Sequence, residues 1–322
     1  WWTPPPTAKS NASPIPNRIC PLLTMPALIR KDHTPPLPPT NRRPGSAPDR
    51  VILDVELVEQ STGELSFGAG YSTAEGVIGD VSITERNLLG NGQFLRLKLA
   101  GSVERLQVDL SFTEPRFLDR NIAAGFDVFH KDIDQTEEAG YASRRTGASV
   151  RMGFPLTENL WMQTAYTFDH SDIYEVDSRF VSRLVTEELA RNGSSADTSA
   201  VNMALTYDKR NHPNNPTSGY YFQLASDFAG LGGDVFYVRT NAEARAYFPI
   251  TEQITFVTRG AAGYVDGWNG DDVRLMDLFY KGGETVRGFA NSGYGPRDTL
   301  TGDSLGGKIY YVATAEVRFP LP

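Results

Sequence analysis

The sequence predicts an all-β fold, an antiparallel transmembrane β-barrel of the outer-membrane type, preceded by a proline-rich segment of different character. Three observations predict it. Runs of about ten residues alternate apolar and polar side chains, which is the period of a two-faced strand. The connections between these runs are tight on one side and long on the other, as in outer-membrane barrels. No stretch approaches the roughly 18 consecutive apolar residues of a membrane-spanning helix. Composition fits the same picture: the chain is only 40% hydrophobic, yet holds 30 Gly, 14 Tyr and 17 Phe.

In chain order, residues 1–48 hold 13 of the 21 prolines and six Lys or Arg against one acid. Proline at this density blocks helix and sheet, so the segment reads as disordered or extended. It lacks the basic start, apolar core and small-residue cleavage site of a signal peptide. Residues 49–60 carry one short strand, with Val51, Leu53, Val55 and Leu57 on one side. The barrel then occupies 61–322. Its twelve alternating runs are Glu64–Ser72, Val77–Glu85, Gln93–Gly101, Arg105–Thr113, Ile122–His130, Arg145–Phe154, Leu160–Asp169, Ala200–Asp208, Tyr220–Phe228, Val235–Phe248, Gln253–Tyr264 and Lys308–Phe319. In Arg105–Thr113, for example, Leu106, Val108, Leu110 and Phe112 oppose Gln107, Asp109 and Ser111.

The connections add a second argument. Phe154-Pro-Leu-Thr-Glu158, Phe248-Pro-Ile-Thr-Glu252 and Phe319-Pro-Leu-Pro322 are one recurring phrase, in which proline stops the ladder where it cannot donate. The opposite connections, His130–Ser143, His170–Ser199 and Asp266–Gly307, read as long loops. Phe154, Trp161, Phe248 and Phe319 form an interfacial girdle at strand ends. The soluble alternative is a large antiparallel sheet with one wet face. Strand length and loop asymmetry favour the barrel.

Several chemistries are excluded or weak. A single cysteine, Cys20, rules out a disulfide framework or a cysteine-based zinc site within the chain. His33, His130, His170 and His212 show no ligand spacing, and His130, Asp132 and Asp134 read as a solvated acidic face. The net charge of -8 argues against nucleic-acid binding. No nucleophile elbow surrounds any serine, and Gly230-Leu-Gly-Gly233 reads as a loop between strands, not a phosphate cradle. The expectation is a non-enzyme with no cofactor and no metal.

The segment Lys281–Asp298 stands apart, with five glycines interleaved with Val286, Arg287, Phe289 and Tyr294. It reads as a loop that packs on something. Together with Gly63–Gly76, Glu85–Gln93, Tyr207–Gly219, Leu305–Gly307 and Glu316–Pro320 it resembles the BamA family of outer-membrane protein-assembly factors, within the bacterial surface antigen or POTRA-barrel superfamily. The resemblance spans roughly residues 44–322. It implies a sixteen-strand barrel in the outer membrane, of which about twelve strands stand here as a fragment, and a remnant of the last POTRA domain at 49–60.

It also implies assembly and insertion of β-barrel proteins. The partners would be outer-membrane lipids, unfolded outer-membrane proteins, accessory lipoproteins and periplasmic chaperones. The first strand, with Gly63, Glu64, Phe67, Gly68, Gly70 and Tyr71, would be the edge of a lateral gate. Val286, Arg287, Gly288 and Phe289 would be the signature of an inward-folded plug loop. On the last strand the lipid-out rule turns Glu316 inward, and the resemblance implies that the loop arginine pairs with acids on the inner wall, so Glu316 at the matching position would be the partner of Arg287. The alternatives are a polypeptide-secreting transporter of the two-partner secretion type, which shares the plug-loop signature, and a passive porin.

Overall fold

The computed structural model describes residues 40–44, 51–55, 61–72, 76–136, 140–176, 181–282, 285–289 and 292–320. The expectations for residues 1–39, for most of 49–60, and for Gly283 and Glu284 lie outside them. The chain divides into two compact units at Gly63/Glu64.

The first unit contains a two-stranded antiparallel hairpin, β1 (Thr40–Pro44) with β2 (Val51–Val55), in the register Thr40↔Val55 to Pro44↔Val51. The pairing joins residues on either side of the boundary expected at residue 48. Pro44 takes the last place in its strand, where a missing N–H removes little from the ladder.

The second unit is one antiparallel sheet of twelve strands: β3 (Gly63–Ser72), β4 (Gly76–Leu88), β5 (Gln93–Gly101), β6 (Arg105–Glu114), β7 (Ala123–Gln135), β8 (Tyr141–Pro155), β9 (Leu160–Tyr174), β10 (Ser195–Asp208), β11 (Gly219–Gly233), β12 (Tyr237–Pro249), β13 (Thr255–Gly267) and β14 (Ile309–Arg318). Each strand pairs with its sequence neighbours, and β3 and β14 are the edges of an open sheet. Every alternating run corresponds to one strand. The strands reach further than the alternation did: β7 and β8 run on to Gln135 and back from Tyr141, so the connection expected at His130–Ser143 shrinks to 136–140. Gly230–Gly233 likewise closes β11 instead of forming a loop. Gly230 (φ 123) lies where a Cβ would strike the Trp268 ring at 2.3 Å, and Trp268 donates its indole N–H to Ala229 O at 2.7 Å. Glycine there admits the indole against the strand.

The sheet is two-faced, as the alternation requires. Cross-strand columns such as Leu97↔Leu110 and Leu110↔Val128, or Phe112↔Phe126 with rings 5.4 Å apart, line the outer face. Its large side chains, including Phe67, Val150, Phe222 and Tyr311, are exposed. The inner face carries the polar partners, such as Ser111 and Asp127 at 2.7 Å. Among the described residues no helix is long and apolar enough to cross a membrane, so strands alone supply the apolar span.

Two connections stay long, 175–194 and 268–308, and both leave the same end of the sheet. The first contains a helix where only loop was expected, α1 (Arg183–Asn192). Ser182 caps it by accepting from Leu184 N, Gly193 (φ 73) ends it, and Arg183 and Glu187 pair one turn apart at 2.6 Å. Val185, Glu188 and Leu189 share its buried face, which joins a core of Tyr141, Ile173, Val181 and Leu275.

Candidate functional site

The site is the inner face of β8–β14 and the long connection 268–308 that folds onto it. The loop has its own scaffold. Isolated bridges join Phe279 to Gly307, Lys281 to Tyr294 and Arg297 to Ser304. Gly306 (φ 66) fits where a Cβ would meet Leu278 and Tyr280 at 2.8–2.9 Å. Thr285 closes a small turn by donating its hydroxyl to Gly282 O at 2.7 Å, and Gly288 (φ 89) reverses the chain after Arg287.

Aromatic contacts set the loop's path along β14. Phe279 meets Tyr310 edge-on at 4.7 Å, and the Lys281 ammonium lies 4.0 Å from the centre of the Tyr310 ring. Tyr310 and Glu316 share one face of β14, which spans on the order of 20 Å between them. At the far end Arg287 Nη2 stands 3.3 Å from Glu316 Oε1, and Arg318 Nη2 approaches the other oxygen at 3.6 Å. The expected pair is therefore together, with a rival. Arg287 remains 83% exposed, so the contact sits in high dielectric. Phe289 packs edge-on against Tyr294 at 5.4 Å within the loop, and Val286 O accepts from Phe289 N.

The deeper anchor lies elsewhere, at residues that motif reasoning missed. The short 3-10 turn Leu275–Asp277 presses on the inner wall. Asp277, with a side chain only 7% exposed, lies 3.6 Å from Arg239 of β12. Arg239 also donates to the Asp277 backbone carbonyl. Arg145 of β8 and Arg274 add their charges. Arg145 grips Asp169 of β9 in a two-pronged contact, 2.7 Å on each side, across Gly147, where any Cβ would collide with Asp169 and Phe168 O. The available signal was the polar face of each strand, which put Arg145 and Arg239 inside without naming their partner.

The other long connection, 175–194, also fastens the loop. Glu188 of α1 accepts the Leu275 N–H at 2.9 Å, and burial pushes its carboxyl above the ordinary range despite that bond and nearby Arg274. Ser182 donates its N–H to Asp303 at 2.7 Å and its hydroxyl to Asp298. That hydroxyl, with the N–H groups of Leu300 and Thr301, holds the Asp298 carboxyl below the usual carboxylate range.

The edge strand β3 places Glu64, Ser66 and Gly68 on one side and the exposed Leu65, Phe67 and Tyr71 on the other. Glu64 pairs with Arg86 of β4 at 2.6 Å. Its glycines differ. A Cβ at Gly68 would meet the Asp80 carboxylate at 2.2 Å, whereas Gly70 faces open space and Gly63 begins the strand. Among the described residues no cluster of His, Cys, Asp or Glu has metal-holding geometry.

Comparison with known proteins decides the family. A profile of the Omp85 superfamily domain matches residues 87–322. The chain belongs to the Omp85 superfamily. Among curated relatives it is 29% identical over 274 residues to the outer membrane protein assembly factor BamA of Neorickettsia risticii, covering 84% of this chain and 36% of that protein. It is 30% identical over 269 residues to BamA of Nitratidesulfovibrio vulgaris, covering 82% and 33%. It thus spans about a third of the length of these relatives. Among solved structures, BamA from Haemophilus ducreyi lacking POTRA domains 1–3 superposes with a TM-score of 0.73 at 23% identity, covering 88% of this chain and 58% of that one. The fold of this Omp85 chain is that of an outer-membrane β-barrel, and its site is the outer membrane.

Proposed function

We propose that this chain is the barrel portion of an outer-membrane assembly factor, which folds and inserts other β-barrel proteins. The similarity to curated assembly factors over more than four-fifths of the chain carries this reading. In it, the edge strand β3, whose neighbour in the sheet is β4, offers its other side as a template for an incoming strand. The glycine at position 70, with open space around it, suits a strand that must exchange partners, because glycine weakens pairing. The step exchanges backbone hydrogen bonds and makes no covalent bond, so it needs no cofactor. The plug loop occupies the inner face while no substrate is engaged, with Arg287 and Glu316 as one fastening and the wall arginines as another. Unfolded outer-membrane proteins delivered by periplasmic chaperones are the substrates, and accessory lipoproteins and outer-membrane lipids are the partners.

The test is reconstitution of the protein in phospholipid vesicles, followed by addition of a urea-unfolded outer-membrane barrel protein. Folding, read by heat-modifiable gel mobility, should be faster than in empty vesicles. Unchanged folding together with steady ion conductance would overturn the proposal in favour of a passive pore. Transfer of an unfolded polypeptide into the vesicle interior would favour a secretion channel.

A further inference from the structure

The turns at the end of the sheet opposite the long loops carry an unexpected feature. Four of the five connections there place a large aliphatic side chain at an exposed tip: Leu89 between β4 and β5, Leu118 between β6 and β7, Leu156 between β8 and β9, and Ile250 between β12 and β13. Leu89 is 87% exposed and Leu118 is 74% exposed. Both also hold the left-handed backbone conformation, at φ 54 and φ 56. Leu89 is the third residue of a turn closed by Gly90 N donating to Asn87 O at 3.0 Å, a position where glycine or asparagine is the low-strain choice. Leucine at these two tips is thus unfavourable twice, in backbone conformation and in hydration. An apolar phase that covers the side chain without changing the turn removes the hydration cost and offsets the backbone cost.

We propose that these tips insert into the phospholipid surface on the short-turn side of the membrane and set the depth of the barrel in it. Two observations select a lipid surface over a protein partner. Leu156 and Ile250 lie two residues beyond Phe154 and Phe248, at the same outward parity, so they continue columns that already face outward. The four tips also form a line one residue wide along the rim. At ~4.8 Å per strand it extends for roughly 40 Å from the first tip to the last. Protein interfaces concentrate their binding energy in a compact, enclosed centre. Single side chains spread one to a turn along the rim match a lipid surface instead, where apolar groups are buried only a short way into the headgroup boundary.

The test labels single cysteines with a nitroxide, on a Cys20→Ser background, in protein folded into phosphatidylethanolamine–phosphatidylglycerol vesicles. Leu89→Cys and Leu118→Cys report the tips, Asn91→Cys the same turn away from the tip, and Val150→Cys the lipid-facing span. Val150→Cys colliding more with oxygen than with a water-soluble nickel chelate identifies inserted protein. In that protein the proposal expects oxygen to dominate at Leu89→Cys and Leu118→Cys and nickel to dominate at Asn91→Cys. Nickel dominating at all three turn positions overturns it. So does shielding from both reagents at the tips, which would mark a protein cover. Should a labelled tip block folding, Leu89→Trp and Leu118→Trp answer the same question. Bromine-labelled phospholipid should quench the added emission relative to the parent protein, and absence of quenching overturns the proposal equally.

Discussion

Removing the Asp277 carboxylate would leave the wall arginine Arg239 with no counter-charge from the loop in a nearly dry site. Stranding a buried charge costs about 3–5 kcal/mol, so Asp277→Ala is expected to release the loop from the wall. Arg287→Ala removes a contact that is mostly in water, worth about 1 kcal/mol or less and weakened further by salt. Protease cleavage within 285–301 on vesicle-embedded protein measures the difference: fast for Asp277→Ala, close to wild type for Arg287→Ala. Equal cleavage of the two variants would contradict this ranking. Legibility at this scale follows the same division. Arg287 and Glu316 could be paired from the sequence because a motif names one and strand parity orients the other. Asp277 could not, because nothing in Leu275-Met-Asp277 marks a buried acid and its wall arginines, Arg145 and Arg239, come from strands remote in sequence.

Of the three carboxylates where α1 meets the loop, Glu188 and Asp298 titrate with opposite consequences. Asp298 is held below its unfolded value of about 3.9, so its contribution is present above that pH and is lost as pH falls through the lower folded value. Glu188 is raised above its unfolded value of about 4.3, so its contribution is full below that pH and fades as pH rises through the folded value. The contact between α1 and the loop is therefore tightest near pH 4. Amide hydrogen exchange of residues 184–192, corrected for intrinsic rates, should be slowest there and faster at pH 7. In Glu188→Gln, which keeps an acceptor for Leu275 N without the buried charge, the rise in exchange between pH 4 and 7 should disappear. A persistent rise would assign it to another group. The helix had sequence signals, namely Ser182 before a Val185/Glu188/Leu189 face and Gly193 after it. They are short and lie between two long alternating strands, whose pattern dominates the region. The strand ends were illegible for a different reason. Beyond the apolar span β7, β8 and β9 carry Asp132, Arg144 and His170, so the alternation fades while the ladder continues.

At the scale of the whole sheet, the two faces impose opposite rules on the same substitution. Val150→Arg, on the outward face of β8, is expected to cost about 2–4 kcal/mol in a bilayer near its midplane. Gln223→Arg, on the inward face of β11, should be close to neutral. Urea titration of the two variants in vesicles checks this, and equal costs would mean that the faces are wrongly assigned. Strand number, order and facing were all readable in advance, because a meander pairs neighbours only and period-two alternation orients each strand. The bridges inside the loop, Phe279 to Gly307, Lys281 to Tyr294 and Arg297 to Ser304, carry one further consequence. Because these cross-links are internal, undocking from Arg239 and Ser182 costs the docking contacts alone and does not unravel the segment. It can then swing out and return as a single tongue, and its register on the wall is restored without a search.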